Sequence, residues 1–308
     1  MSTQSNPVPE SPLGSQPVAP AAMLPTRPMY WSIRRELWEN RSIYIAPLAV
    51  AAVFLLGVLI SMVYLPERRS AVLLLDQARQ QAAIERPYDI AAALLIVTAL
   101  IVGVFYCLDA LHGERRDRTI LFWKSLPVSD LTTVLAKASV PLVILPLITF
   151  AIIVVTALIM LLLGTAVLLM NGLSAAPWPP LPQMLLVLLY GLTAGALWHA
   201  PIYGWLLLVS GWARRATFLW AVLPPVAICI VEKIGFGTSH LFSLLGHRLA
   251  GGFAEAFTNR PQGGVLSDWL TQIDPGKFLS SPALWIGLVF AAAFVAAAVW
   301  LRRYREPI

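Results

Sequence analysis

DALHGERRDRTILFWKSLPVSDLTTVLAK, residues Asp109 to Lys137, is a polar island between two long apolar runs, about Ile90–Leu111 and Ala138–Met170. Five of the 22 basic residues lie in it (Arg115, Arg116, Arg118, Lys124 and Lys137), interleaved with Glu114, Asp117 and Asp130. The flanking runs reach or exceed the ~20 apolar residues that cross a bilayer as a helix. The charges between them cannot enter hydrocarbon cheaply, so the island is a surface segment joining two spans. Ile120, Leu121, Phe122 and Trp123 follow the charges, and Pro127 ends the segment. The pattern predicts a short amphipathic helix lying on the membrane, stopped at the proline. Ser129 or Asp130 supplies a side-chain oxygen to cap the next helix.

The rest of the chain supports this membrane setting. Of its 308 residues 58 % are hydrophobic and 12 % charged, against about 25 % charged in soluble domains. Ten-residue alternating strands, the mark of a membrane barrel, are absent. The net charge of +6 does not read as a nucleic-acid footprint, because the basic residues gather at the ends of apolar runs, where orientation signals sit. Cys107 and Cys229 both fall inside apolar runs and read as buried small hydrophobes, not as a disulfide or metal pair.

Residues 1–28 carry seven prolines among Ser, Gln and Ala and show no apolar periodicity, which predicts a disordered tail. No signal-peptide cleavage pattern precedes the first apolar run, so the tail is expected to be retained. In residues 29–42, Tyr30, Ile33, Leu37 and Trp38 share a helical face, with Arg34, Arg35, Glu36, Glu39 and Arg41 on the others. Aromatic rings beside arginines suit the headgroup region. An interfacial elbow helix is expected here, with Trp31, Arg34, Arg35 and Trp38 as its interface residues. Spans are expected at about 43–64, 90–111, 138–170, 184–212, 216–234 and 283–301. Leu65–Asp89 has helical composition and is expected on the surface or as an extension of its neighbours. Pro141 and Pro146 predict a kink at the start of span three, and Pro224-Pro225 an interruption of span five.

The basic residues set the orientation. Four precede span one, five lie in the island, two are Arg214-Arg215 and three are Arg302, Arg303 and Arg305. All fall on one side if both termini are cytosolic, as the positive-inside rule favours. The segment between spans five and six then lies outside. Phe242, Leu245, Leu249, Phe253 and Phe257 recur there at helical spacing, as do Leu266, Trp269, Leu270 and Ile273. Two short outer amphipathic helices are expected, loosened at Gly251-Gly252 and separated by Pro261-Gln262-Gly263-Gly264.

A protein that moves something across a bilayer needs an energy source. Asp89, Asp109, Glu232 and Lys233, the charges nearest the hydrocarbon, fall at predicted span ends, so ion coupling through buried charge is poorly supported. His199, deep in span four, reads better as a polar contact between helices than as a proton relay. No His-Glu-x-x-His, Gly-x-Ser-x-Gly or G-x-x-x-x-G-K-[ST] motif occurs, so zinc hydrolase, serine hydrolase and P-loop chemistry are not indicated. Ser239-His240 lacks a third orienting group and reads as a helix cap. Neither catalytic residues nor a cofactor are predicted.

Three strings carry a family resemblance: RRELWENR (Arg34–Arg41), GERRDRTILFWKSLPVSD (Gly113–Asp130) and LWHAPIYGWLLLVSGWARRATFLWAVLPP (Leu197–Pro225). With them the chain resembles, over about residues 29–305, the permease subunits of bacterial ABC transporters of the ABC-2, or type V exporter, class. The resemblance implies an all-α polytopic membrane domain of six helices in the bacterial inner membrane, with an N-terminal elbow helix. It also implies a cytosolic coupling helix and outer helices between spans five and six. The implied function is ATP-driven export, powered by a separate ATP-binding subunit. Glu114, Arg115, Arg116, Asp117, Arg118, Phe122, Trp123 and Lys124 map onto the coupling segment that docks this ATPase. A homodimer or pairing with a second permease is implied too, in membrane lipid and without nucleic acid. Pro146, Pro201, Pro224 and Pro225 are candidate hinges. Two other classes stay open: a membrane-embedded enzyme acting on lipid or peptide, centred on His199, Tyr203, His240 and His247, and a non-transporting sensor linked to an ATPase.

Overall fold

A computed structural model of the chain describes residues 26–64, 72, 75–117, 128–172, 179–257, 270 and 273–304. Apart from one isolated antiparallel bridge, Phe257 to Ile273, the described secondary structure is helical. In chain order the α-helices are α1 (Thr26–Glu39), α2 (Ser42–Ser61), α3 (Gln77–Ala110), α4 (His112–Arg116), α5 (Asp130–Ser139) and α6 (Leu145–Met170). They continue with α7 (Leu181–Trp212), α8 (Thr217–Phe236), α9 (His240–Ala250), α10 (Gly252–Ala256), α11 (Pro275–Ser280) and α12 (Pro282–Tyr304).

Among the described residues, six helical stretches are long and apolar enough to cross a membrane: Ser42–Ser61, Arg79–Arg116, Asp130–Met170, Leu181–Trp212, Thr217–Phe236 and Pro282–Tyr304. The chain is therefore a multi-pass helical membrane protein, and each stretch overlaps one expected span. The third runs for 41 residues, about 60 Å of helix against ~30 Å of hydrocarbon, so its ends project beyond the hydrocarbon. Residues 77–89 prolong the second span as helix. Composition left open whether they did so or lay apart on the surface.

Prolines shape the third span locally. Val140–Ile144 forms a single π-helical turn between α5 and α6, and the Leu145 N–H reaches the Val140 carbonyl, five residues back. Neither Pro141 nor Pro146 has an N–H to give, and the wider turn absorbs the missing bonds. The proline pair in span five behaves differently from expectation. Pro224 and Pro225 lie inside an unbroken α8, as a helix in a membrane tolerates where the freed carbonyls are satisfied locally.

The packing is organised around α7, which lies along α12 and also against α3. A main apolar core gathers Tyr106 and Cys107 from α3, Val140 from the π turn, Leu145, and Tyr203, Leu206 and Leu207 from α7. A second core, built on Trp198 of α7, takes Ala256, Phe257, Phe278 and Leu284 from α10 to α12. The backbones of α7 and α12 approach closely at Gly204, where a Cβ would stand 3.2 Å from the Ala291 carbonyl oxygen. By contrast α8 buries only Ala221.

The segment between α8 and α12 closes over the end of α7. Its first amphipathic piece forms α9 and α10, divided at Gly251. Of the second piece, Leu266 and Trp269 lie outside the described residues. The cap on α9 is not the Ser239 hydroxyl. Glu232, from the last turn of α8, accepts from the His240 and Leu241 amides at 2.7 and 2.9 Å and from the Thr238 hydroxyl at 2.9 Å.

Candidate functional site: a buried charge cluster at one end of the bundle

α1 ends at Glu39 and α2 begins at Ser42, so α1 sits at the mouth of the first span. Its inner face carries Glu36, 1 % exposed, and Leu37, which packs on the main core. Glu36 meets Lys137, the last charge of α5 before its apolar run, with 2.8 Å from Nζ to Oε1. Lys137 is 2 % exposed. Tyr106 of α3 donates its hydroxyl to the other Glu36 oxygen at 2.9 Å.

Glu114 of α4 is the second hub. Its Oε1 receives Lys137 Nζ at 3.1 Å and Arg35 Nη2 at 2.7 Å, while its Oε2 pairs with Arg302 Nη1 from the end of α12. Arg302 also donates from Nε to Asp130 at 3.0 Å. Three acids (Glu36, Glu114, Asp130) thus balance three bases (Arg35, Lys137, Arg302), and Glu39 sits at the rim, 3.4 Å from Arg35. Burial opposes the charge on Arg35, but Glu36, Glu114 and Glu39 outweigh it and hold its pKa above the ordinary guanidinium value. Burial dominates at Glu39 instead and keeps its carboxyl above the usual range.

Charges buried in this way survive only when each has its partners in place. The cluster joins α1, α3, α4, α5 and α12, through pairs whose members lie up to 188 residues apart in sequence. A second clasp fastens the joint between α3 and α4 to the end of α7. The buried Ser210 hydroxyl oxygen accepts from the Leu111 amide at 3.0 Å and the His112 amide at 2.9 Å. Arg115 Nη1 donates to the Gly211 carbonyl at 2.7 Å. A hydroxyl from another helix therefore satisfies amides at the start of α4 that the helix itself leaves free.

The residues singled out in the sequence divide into two groups here. Glu114 and Arg115 are 7 % and 5 % exposed and face the bundle. Arg116 and Asp117 are exposed and pair with each other at 3.0 Å. Arg118, Phe122, Trp123 and Lys124 lie outside the described residues. On α1, Arg35 turns into the cluster while Trp31 and Trp38 are exposed with Arg34 between them. Pro146 occupies the first turn of α6, Pro201 the interior of α7, and Pro224 and Pro225 that of α8. Glu36, Tyr106, Asp130, Lys137, Arg302 and Ser210 complete the site but carry no motif. Their one shared signal is position, since most stand at the end of an apolar run on the same side of the chain's topology.

The alternative centre at His199 looks different. Its Nδ1 lies 2.7 Å from the Gly195 carbonyl and its Nε2 3.3 Å from the Leu249 carbonyl of α9. Each ring nitrogen lies beside a backbone carbonyl, and a ring with one N–H donates to only one of the two. With Tyr203 it borders a largely apolar cavity of about 70 Å³ between α3, the π turn and α7. His240 and His247 lie on α9, and His247 faces Glu255 at 3.4 Å. Among the described residues, no group of three or more His, Cys, Asp or Glu side chains could hold a metal ion. Compared with known proteins, the chain matches no family model, no curated protein and no solved structure.

Proposed function

We propose that this chain is the permease subunit of an ATP-driven transporter of the ABC-2 class, exporting a substrate with energy from a separate ATP-binding subunit. The observation that carries the reading is the buried charge cluster. It makes one mechanical unit of α1, α4, the start of the third span and the end of the sixth, at one end of the bundle. A force applied to the exposed end of α4 then moves several spans together, which is what a subunit driven from outside requires.

In this reading α1 is the elbow helix, and α4 with the residues after it is the coupling segment. Arg116, Asp117, Arg118, Phe122, Trp123 and Lys124 face the ATPase, while Glu114 and Arg115 pass its motion inward. Both termini are cytosolic, the membrane is the bacterial inner membrane, and α9 to α11 lie on the outer side. Two permeases pair, as a homodimer or with a sister subunit, and the sparsely buried α8 supports an open face for that contact. Rearrangement between two packings of the spans opens the path, with Pro146, Pro201, Pro224 and Pro225 as hinges.

The test is the double substitution Arg116→Glu with Trp123→Ala. It is expected to separate ATP hydrolysis from transport and to weaken capture of the ATPase, while the chain still reaches the membrane. Unchanged capture of the ATPase in a pull-down contradicts the docking site.

A further inference from the structure

Adjacent arginines on α1 point in opposite directions. Arg35 is drawn into the charge cluster, with Glu36 at 2.9 Å and Glu114 at 2.7 Å. Arg34 faces outward, with its guanidinium carbon 5.2 Å from the Trp31 ring centre and 4.7 Å from that of Trp38. Trp31, Arg34 and Trp38 follow one another at spacings of three and four, which is one row along α1, and Arg41 stands just beyond its end, at the start of α2. Trp31 and Trp38 are 57 % and 65 % exposed, and Tyr30 beside them 58 %.

Among the described residues no acid pairs with this row: neither Arg34 nor Arg41 takes part in an ion pair, and the two acids of α1, Glu36 and Glu39, both pair with Arg35. The indoles occupy the broad face of the Arg34 guanidinium through its cation–π attraction. Its N–H edge stays free, and that edge is a planar fork suited to two oxygens of a phosphate. Position narrows the partner further. α1 is two residues from the first span, so this face lies at the level where span meets water, among lipid headgroups.

We infer that the Trp31–Arg34–Trp38 row, with Arg41 just beyond it, is a docking site for the phosphodiester headgroup of an anionic phospholipid, with the two indoles set at the glycerol level on either side. The inference depends on α2 crossing the bilayer and is independent of the ATP-driven reading. Through Arg35 and Glu36 on the opposite face, a lipid held here also steadies the helix that closes the charge cluster.

The experiment uses the full chain in nanodiscs of equal phosphatidylglycerol and phosphatidylcholine, re-extracted in neutral detergent, with the retained lipids quantified. The wild-type chain is expected to retain phosphatidylglycerol preferentially. Arg34→Gln is expected to lower that preference about fivefold, the worth of one interfacial basic residue, and Arg34→Gln with Arg41→Gln to lower it further. Arg214→Gln with Arg215→Gln, an exposed pair elsewhere at the same end of the bundle, serves as the control and is expected to lower the preference less than Arg34→Gln alone. No preference in the wild type, which would leave the row to a protein partner, overturns the inference. So does an equal loss in the Arg214/Arg215 control, which would reduce it to general surface charge. A thermal scan of each variant in pure phosphatidylcholine verifies that the substitutions have not unfolded the chain.

Discussion

At Lys137, one ammonium group holds Glu36 and Glu114 together at 2 % exposure. Removing one member of such a group strands the others without water, so Lys137→Met is expected to cost about 3–5 kcal/mol. Adding Glu36→Gln to it should restore part of that loss, and a double-mutant cycle on unfolding in detergent checks both. Ser210→Ala leaves two backbone amides without their acceptor and is expected to cost about 1–3 kcal/mol in the same assay. Glu39 gives a test by pH. Burial, with Glu36 and Glu114 adding to it, raises its pKa despite the pull of Arg35. A carboxyl whose folded pKa is raised contributes stability below its unfolded pKa and loses it as pH rises through the folded value. The melting temperature of Glu39→Gln relative to wild type should therefore climb as pH passes upward through that range. A falling difference contradicts the assignment.

At the scale of elements, two glycines separate close helix packing from side-chain accommodation. A methyl at Gly204 meets the Ala291 backbone and Phe294 Cβ within 3.3 Å. Gly204→Ala is thus expected to push α7 from α12 at a cost of about 1–3 kcal/mol. At Gly287 a methyl collides only with the Arg248 guanidinium, the movable end of a long side chain. Gly287→Ala should therefore cost less, chiefly the contact that places Arg248 4.3 Å over Trp198. Comparative unfolding of the two variants checks the order. The sequence made the elements themselves legible because apolar length and charged ends decide where a helix enters and leaves hydrocarbon. It located the six spans and the break at Gly251. It could not show that α8 runs through Pro224-Pro225, since tolerance of proline depends on neighbours. Nor could it show the charge cluster, because Glu36 and Lys137 are 101 residues apart and pair only after the spans have packed. Ser129 did cap α5 as its chemistry suggested, accepting from the Thr132 amide at 3.1 Å, because a cap is a local matter.

Across the whole molecule, the elements tied by Glu114 and Ser210 are the approach to span one, the end of span two, the start of span three and the ends of spans four and six. Alternation of six spans puts all of these on one side, and the Glu114–Arg302 pair closes that end physically. The opposite end is closed by α9 to α11 on Trp198, whose indole N–H reaches the Arg248 carbonyl at 3.1 Å, so α7 connects the two. In the function proposed above, this assembly is a gate moved by a companion that hydrolyses ATP. The most direct measurement reconstitutes the purified chain in vesicles, with and without a candidate ATP-binding subunit, and follows solute movement against a gradient. ATP-dependent flux is expected only when both are present. Uphill movement by the chain alone would contradict it.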